Sequence, residues 1–301
     1  MSEAGNEGGP WTVAQLLNWT RAYFEKHGLE SPRLCAEILL AHAVGCERIE
    51  LYTRHESVPS EQALQTFRSA VAEASAGRPI AHLTGTKEFF ALRFEVTPDV
   101  LIPRPETEVL VERTIRLARD SAGDIESILD VGTGSGCIAI SLAKHLPGVS
   151  ICASDICEAA LQVARHNAKR HDVSGRIEFR AGDLFAPWES GRFDVIVCNP
   201  PYVAESEAAS LPANVRDFEP HAALFAGEDG LAVLRRLIAG APRHLKPGGH
   251  LLTEVAYNQS ATVRDLLDES VWTDIVTYRD ALQHERVVHA RRHASEQTQV
   301  A

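Results

Sequence analysis

From residue 125 to residue 289 the chain alternates short strand-like runs with helix-like segments, and nothing else in it limits the fold so tightly. Runs at 127–130, 150–154, 176–180, 194–198, 250–254, 274–278 and 286–289 are rich in apolar and branched residues. Between them, 138–145, 159–171 and 231–239 carry apolar residues at helical spacing. Strands separated by helices predict an α/β fold with a largely parallel sheet covered on both faces.

The first part of the chain reads differently. From Trp11 to about Gly77, Leu16, Leu17, Tyr23 and Phe24 recur at helical spacing, and Ile38, Leu39 and Leu40 follow a start signal at Ser31-Pro32. A further helix over 60–76 buries Leu64, Phe67 and Val71, with Ser60 as cap and Gly77 as stop. This is a small helical bundle, and it reads equally as scaffold or as a docking module for a macromolecule. Residues 89–96 and 100–102 flank Thr97-Pro98-Asp99 and predict a hairpin connecting the two parts. Pro103 and Pro105 then restrict the chain before a helix beginning near Glu106. The expected organisation is a disordered 1–10, a helical domain over 11–85, a hairpin linker over 86–103, a catalytic domain over 104–293 and a disordered tail over 294–301.

Charge narrows the function. The net charge is −11, and the first 85 residues hold seven Lys and Arg against ten Asp and Glu. Proteins that grip nucleic acid concentrate basic residues, because counterion release supplies much of the affinity. No basic clamp is evident, so direct nucleic-acid binding is not expected. No apolar run reaches the 18 or so residues of a membrane span, and the first ten residues show no export signal. A cytoplasmic protein is expected. Cys35, Cys46, Cys137, Cys152, Cys157 and Cys198 are scattered as reduced thiols usually are, and the 13 histidines form no ligand-spaced cluster, so no metal is expected.

The strand at 127–130 runs into Gly132, Thr133, Gly134, Ser135 and Gly136, directly before a helix. Glycines there permit a tight turn and close approach of backbone to a ligand, beside a positive helix end. A dinucleotide fingerprint would need glycine at position 137, which is Cys137. An acid before such a loop resembles instead the S-adenosylmethionine motif of class I methyltransferases. Asp155 ends the next strand, nineteen residues beyond Gly136, where an acid can accept from ribose hydroxyls. Asp183 ends the third, suited to the adenine edge, with Leu184 placed to pack on the ring. Successive turns each carrying an acid point to a nucleoside cofactor at the carboxyl ends of the strands.

The buried run 194–198 continues into Asn199-Pro200-Pro201-Tyr202. Two prolines fix extended backbone and remove two donors, leaving the Pro200 carbonyl as acceptor beside the Asn199 side-chain carbonyl. Two acceptors suit the two hydrogens of a planar –NH2 group, and Tyr202 can flank its face. An amide nitrogen is a poor nucleophile, and acceptors holding both hydrogens orient it and favour pyramidalisation as a methyl arrives. Asn199 positions the nitrogen and is not a base. Cys198 has no His–Asp set beside it and is read as core.

With these residues in view, the chain closely resembles the bacterial release factor glutamine methyltransferases. Besides the glycine loop and Asn199–Tyr202, the resemblance rests on the Ile-Pro-Arg-Pro-Glu-Thr-Glu stretch from Ile102, on Phe218-Glu219-Pro220 and on Arg286-Val287-Val288. It implies a Rossmann-like, seven-stranded class I methyltransferase sheet behind a helical domain that helps bind a release factor. It further implies transfer from S-adenosylmethionine, leaving S-adenosylhomocysteine, to the glutamine of a Gly-Gly-Gln loop; a monomer is expected, though the sequence does not reveal the oligomeric state. By resemblance Gly132–Gly136, Asp155, Leu184 and Asn199 contact the cofactor, while Asn199, Pro200, Pro201 and Tyr202 hold the glutamine. Arg104 and Glu106 border the site with roles not legible in sequence. The alternatives are glutamine methylation of a ribosomal protein and, further off, methylation of a nucleic-acid amine.

Overall fold

The computed structural model describes residues 10–121 and 123–294. The expectations for 1–10 and 294–301 therefore lie, apart from Pro10 and Ala294, outside the described residues. The chain divides into two compact units. One holds the residues up to Gly85 together with Ala213–Phe218, and the other holds Thr86–Pro212 and the chain from Glu219 onward.

The first unit is helical, with its longer helices at Val13–Lys26, Pro32–Val44 and Glu61–Ser75. Thr12 caps the first through reciprocal bonds with Gln15, and the Ser60 hydroxyl accepts from the Ala63 N–H at 3.2 Å to start the third. Leu16, Phe24, Leu39, Leu40, Phe67 and Val71 form its apolar core. Inside that unit Glu37 is buried and gathers the Tyr52 hydroxyl at 2.6 Å and the guanidinium groups of Arg33 and Arg48.

The second unit opens with a two-stranded hairpin, β1 (Thr86–Phe89) and β2 (Leu92–Glu95). The turn is at Phe90 and Ala91, with φ of 49° and 58°. The sequence placed it at Thr97-Pro98-Asp99, with 100–102 as the returning strand, and this is corrected. A two-residue hairpin turn of type I′ needs left-handed backbone at both central positions, which Gly or Asn usually signals. Here Phe90 and Ala91 adopt it without that signal, held by the Phe90 N–H donating to Glu108 at 2.8 Å. Thr97–Val100 does turn, with Val100 N–H on the Thr97 carbonyl, but joins no strands. Phe89 and Phe94 are buried in the core beneath the large sheet.

That sheet has seven strands: β3 (Ser127–Val131), β4 (Ser150–Asp155), β5 (Ile177–Ala181), β6 (Phe193–Cys198), β7 (Leu245–Glu254), β8 (Trp272–Arg279) and β9 (Glu285–Arg292). Their spatial order is β5-β4-β3-β6-β7-β9-β8, all parallel except the reversed β9. Central strands are apolar on both faces because helices cover both. In β6, Val195 and Val197 enter one core while Ile196 and Cys198 enter the other. Helix Glu108–Asp120 buries Leu110, Val111, Thr114, Ile115 and Ala118 along one stripe. Helix Ala232–His244 runs past the expected end at 239 and carries Pro242 in its last turn. β7 begins five residues before the expected 250. Leu245 pairs with Phe193 and His250 with Val195, so 246–249 bulge out of the ladder.

Candidate active site

Chain order reverses between β3 and β6. From β3 the sheet grows one way through β4 and β5, and from β6 the other way through β7. Ligands of open α/β sheets bind at such a switch point, beyond the carboxyl ends of the strands. Val131 is level with Cys198 across the β3–β6 pair. The loops that begin at Gly132 and at Asn199 therefore leave adjacent strands at the same end.

Gly132, Gly134 and Gly136 have φ of 73°, 53° and 81°. A β-carbon on Gly136 would lie 2.9 Å from Ile140 and 3.2 Å from Ala164, so this glycine packs loop against helix. At Gly132 and Gly134 the same atom would meet nothing within 4 Å, which leaves an open cradle of backbone. The N–H groups of Gly132 and Thr133 donate to the Ser154 carbonyl at 2.8 and 2.9 Å, and that of Gly134 to Asp155 at 2.8 Å. Asp155 also accepts from the Cys157 N–H at 2.9 Å. Burial raises its pKa against these bonds.

Asp130 is fully buried beneath the loop. One oxygen accepts from the Thr133 hydroxyl at 2.6 Å and the Ala139 N–H at 3.1 Å. The other has no partner, and neither does the buried Ser135 hydroxyl. Burial pushes the Asp130 carboxyl up to about 7, with those two bonds opposing and the charge of Asp155 adding. Asp183 lies at the same sheet end, half-exposed, and pairs with Arg236. Leu184 has a φ of 48°, its carbonyl accepts from the Ser154 hydroxyl at 3.4 Å, and its side chain packs on the core. The neighbouring Gly182 cannot carry a side chain, since a β-carbon would lie 2.5 Å from Pro187.

On the β6 side, the Asn199 amide donates through Nδ2 to the Thr107 hydroxyl at 3.1 Å, while its buried Oδ1 has no partner. Pro200 is buried and Pro201 half-buried. The Tyr202 hydroxyl donates to Glu254 at 3.3 Å, and the Tyr202 carbonyl accepts from Gln259 at 3.0 Å. Burial, then the charge of Glu254, raise the Tyr202 pKa. Cys198 is buried, and burial pushes its thiol well above the usual range, as suits a core residue rather than a nucleophile.

The structure brings to the site three residues whose place there the sequence did not disclose, Glu219, Thr107 and Glu254, and gives Arg104 a partner. Glu219 is buried and accepts from the Ile102 N–H at 3.1 Å and from Arg104 at 2.5 Å, so the Pro-Arg-Pro stretch is pinned to the segment after Asn199–Tyr202. Thr107 and Glu254 complete the Asn199 network. Burial pushes the Glu254 carboxyl up to about 7. The nearby Thr107 hydroxyl, the charge of Arg286 and the hydrogen bond from Tyr202 oppose the rise, and Glu106 adds to it. Arg104 is close enough for its charge to act on Tyr202. Glu219, Arg104 and Thr107 stood inside recognised stretches, whereas nothing in the run ending at Glu254 marks it. Partnerless oxygens of Asp130 and Asn199 offer acceptors, suited to a ligand bearing N–H or O–H donors and positive charge. Among the described residues no three His, Cys, Asp or Glu side chains form a metal-holding group, and no helix is long and apolar enough to cross a membrane.

Residues 15–85 match the PrmC N-terminal domain family, and residues 107–215 the methyltransferase small domain family. The release factor glutamine methyltransferase of Rhodopirellula baltica is 42% identical over 292 residues, 96% of this chain and 98% of that protein. That of Geobacter sulfurreducens is 40% identical over 281 residues, 93% of this chain and 97% of that protein. Among solved structures, the hMettl16 catalytic domain in complex with a MAT2A 3′UTR hairpin aligns with a TM-score of 0.54 at 17% identity, covering 76% of this chain and 83% of that one. This last likeness concerns the fold alone.

Proposed function

The chain belongs to the release factor glutamine methyltransferase family, and on that premise we propose that it methylates the side-chain amide of the glutamine in the Gly-Gly-Gln loop of peptide chain release factors. The reaction modulates translation termination in the cytoplasm. The observation that carries this reading is the buried, partnerless Oδ1 of Asn199, which precedes the two prolines.

The methyl donor is S-adenosylmethionine, which supplies an electrophilic methyl on a sulfonium. The residues present fit such a group. Gly132 and Gly134 leave the open cradle, Asp130 and Ser135 keep unused buried oxygens, and Asp155 presents a carboxylate beside them. Gly132–Gly136 and Asp155 would hold it, with Asp183 and Leu184 at the adenine end. The acid-rich surroundings favour its positive charge.

The chain's own part is to bind, orient and desolvate. Asn199 Oδ1 and the Pro200 carbonyl each accept one hydrogen of the glutamine –NH2, and Tyr202 flanks the amide plane. Held in this way, the nitrogen lone pair is turned out of conjugation and toward the donor. The helical unit binds the release factor. The reading is tested by incubating the protein with labelled S-adenosylmethionine and release factor, with a factor lacking the loop glutamine in parallel. Label on the intact factor alone is the expected result, and label on both or neither contradicts it.

A further inference from the structure

A buried polar cluster lies behind the acceptor site. Asn199 Nδ2 donates to Thr107, the Thr107 hydroxyl faces the Glu254 carboxyl, whose Oε2 has no other partner, and the Tyr202 hydroxyl donates to Glu254 Oε1. Thr107 is 2% exposed and Glu254 1%, so water does not compete for either. A carboxamide has nearly the same shape either way round, but one end donates and the other accepts. Its orientation decides whether a substrate –NH2 meets an acceptor or another donor. A carboxylate can only accept, and a hydroxyl has one proton to give. With Glu254 ionised, Thr107 gives that proton to Glu254 and offers its lone pairs to Asn199 Nδ2. Asn199 Oδ1 is then left for the substrate.

We propose that Glu254 is a positioning residue that fixes the direction of the Asn199 amide through Thr107 and holds Tyr202 beside it. The proposal rests on the glutamine-amide reading for its catalytic consequence, though the amide's direction can be read without substrate. The groups facing Glu254 are Tyr202 from the loop after β6, Arg286 from β9, and Glu106 and Thr107 from the 3-10 turn that precedes helix Glu108–Asp120, with Arg104 facing Tyr202. Replacing Glu254 with Gln adds an –NH2 that can donate to Thr107. The hydroxyl then turns toward Asn199, and the amide is free to reverse.

The test compares wild type with Glu254→Gln, Thr107→Val and Thr107→Ser. Methyl transfer to release factor is measured across pH, cofactor affinity separately, and the Asn199 side-chain NH2 by nitrogen-15 NMR. We expect Glu254→Gln and Thr107→Val each to lower kcat about ten- to a hundredfold at unchanged cofactor affinity. The double variant should be no worse than either single one, because both act through one chain of bonds. Thr107→Ser keeps the hydroxyl and should stay near wild type. Wild-type kcat should rise with pH as Glu254 ionises, and the Glu254→Gln profile should be flat there. The Asn199 NH2 signal should show a hydrogen-bonded group in wild type and Thr107→Ser and lose that character in Glu254→Gln. An unchanged Asn199 signal in Glu254→Gln overturns the proposal whatever the activity. If wild type transfers nothing to release factor, the proposed substrate falls and the NMR comparison alone decides the positioning role.

Discussion

Asn199 matters through the difference between its two amide ends, one spent on Thr107 and one left free in a buried place. An unpaired buried carbonyl costs on the order of 1–3 kcal/mol, so a site that keeps one is arranged for a ligand that will satisfy it. Removing one preorganised polar contact to a reacting group can lower a rate about a hundredfold or more. Asn199→Ala should accordingly reduce kcat by about that factor while S-adenosylmethionine affinity, measured by calorimetry, stays within severalfold. Near-normal turnover would remove Asn199 from the account. At this scale the sequence singled out the glycine loop, Asp155 and Asn199–Tyr202, because ligand chemistry needs those residue types at those strand ends. Glu254 and the role of Thr107 were not legible. Their part depends on which side chains the fold sets against them, and no local pattern encodes that.

The elements show the same division. Apolar runs marked all seven strands of the large sheet: burial on both faces leaves a compositional trace in the central strands, and the edge strands β5 and β8, largely unburied, keep a weaker one. The turn at Phe90 and Ala91 left none, since tertiary packing of Phe89 and Phe94 overrides the usual need for glycine. Within the glycine loop two glycines serve different ends, and this can be measured. Gly136→Ala forces a β-carbon against Ile140 and Ala164 at a φ of 81°. It should cost about 1–3 kcal/mol in urea unfolding. Gly134→Ala has room in the protein and should cost about 1 kcal/mol for its left-handed backbone. Its larger effect should be on S-adenosylmethionine affinity, since the new methyl fills the cradle. Equal stability losses, or an unaltered affinity in Gly134→Ala, would contradict the two roles.

For the molecule as a whole, the site carries a stability penalty that depends on pH. Glu254 rises from an ordinary 4.5 to about 7 in the fold, chiefly through burial. A carboxyl raised on folding binds its proton more tightly in the folded state, so stability falls as pH climbs from the unfolded value through the folded one. Glu254→Gln has no proton to lose and escapes that fall. Its stability relative to wild type should grow between pH 4.5 and 7 and level off above, by about 3 kcal/mol at most. A difference that stays constant with pH would show that Glu254 is not raised. The same sign applies to Asp130, which both proteins retain. A site that holds two buried carboxyls in this state trades stability for acceptors.

The most direct test of the central claim is the position of the new methyl group. Release factor incubated with this protein and S-adenosylmethionine would be digested and its loop peptide sequenced by tandem mass spectrometry. A single added methyl on the side-chain amide of the Gly-Gly-Gln glutamine is the result predicted. Methyl on another residue, or on ribosomal protein or RNA while the loop peptide stays unmodified, would contradict it.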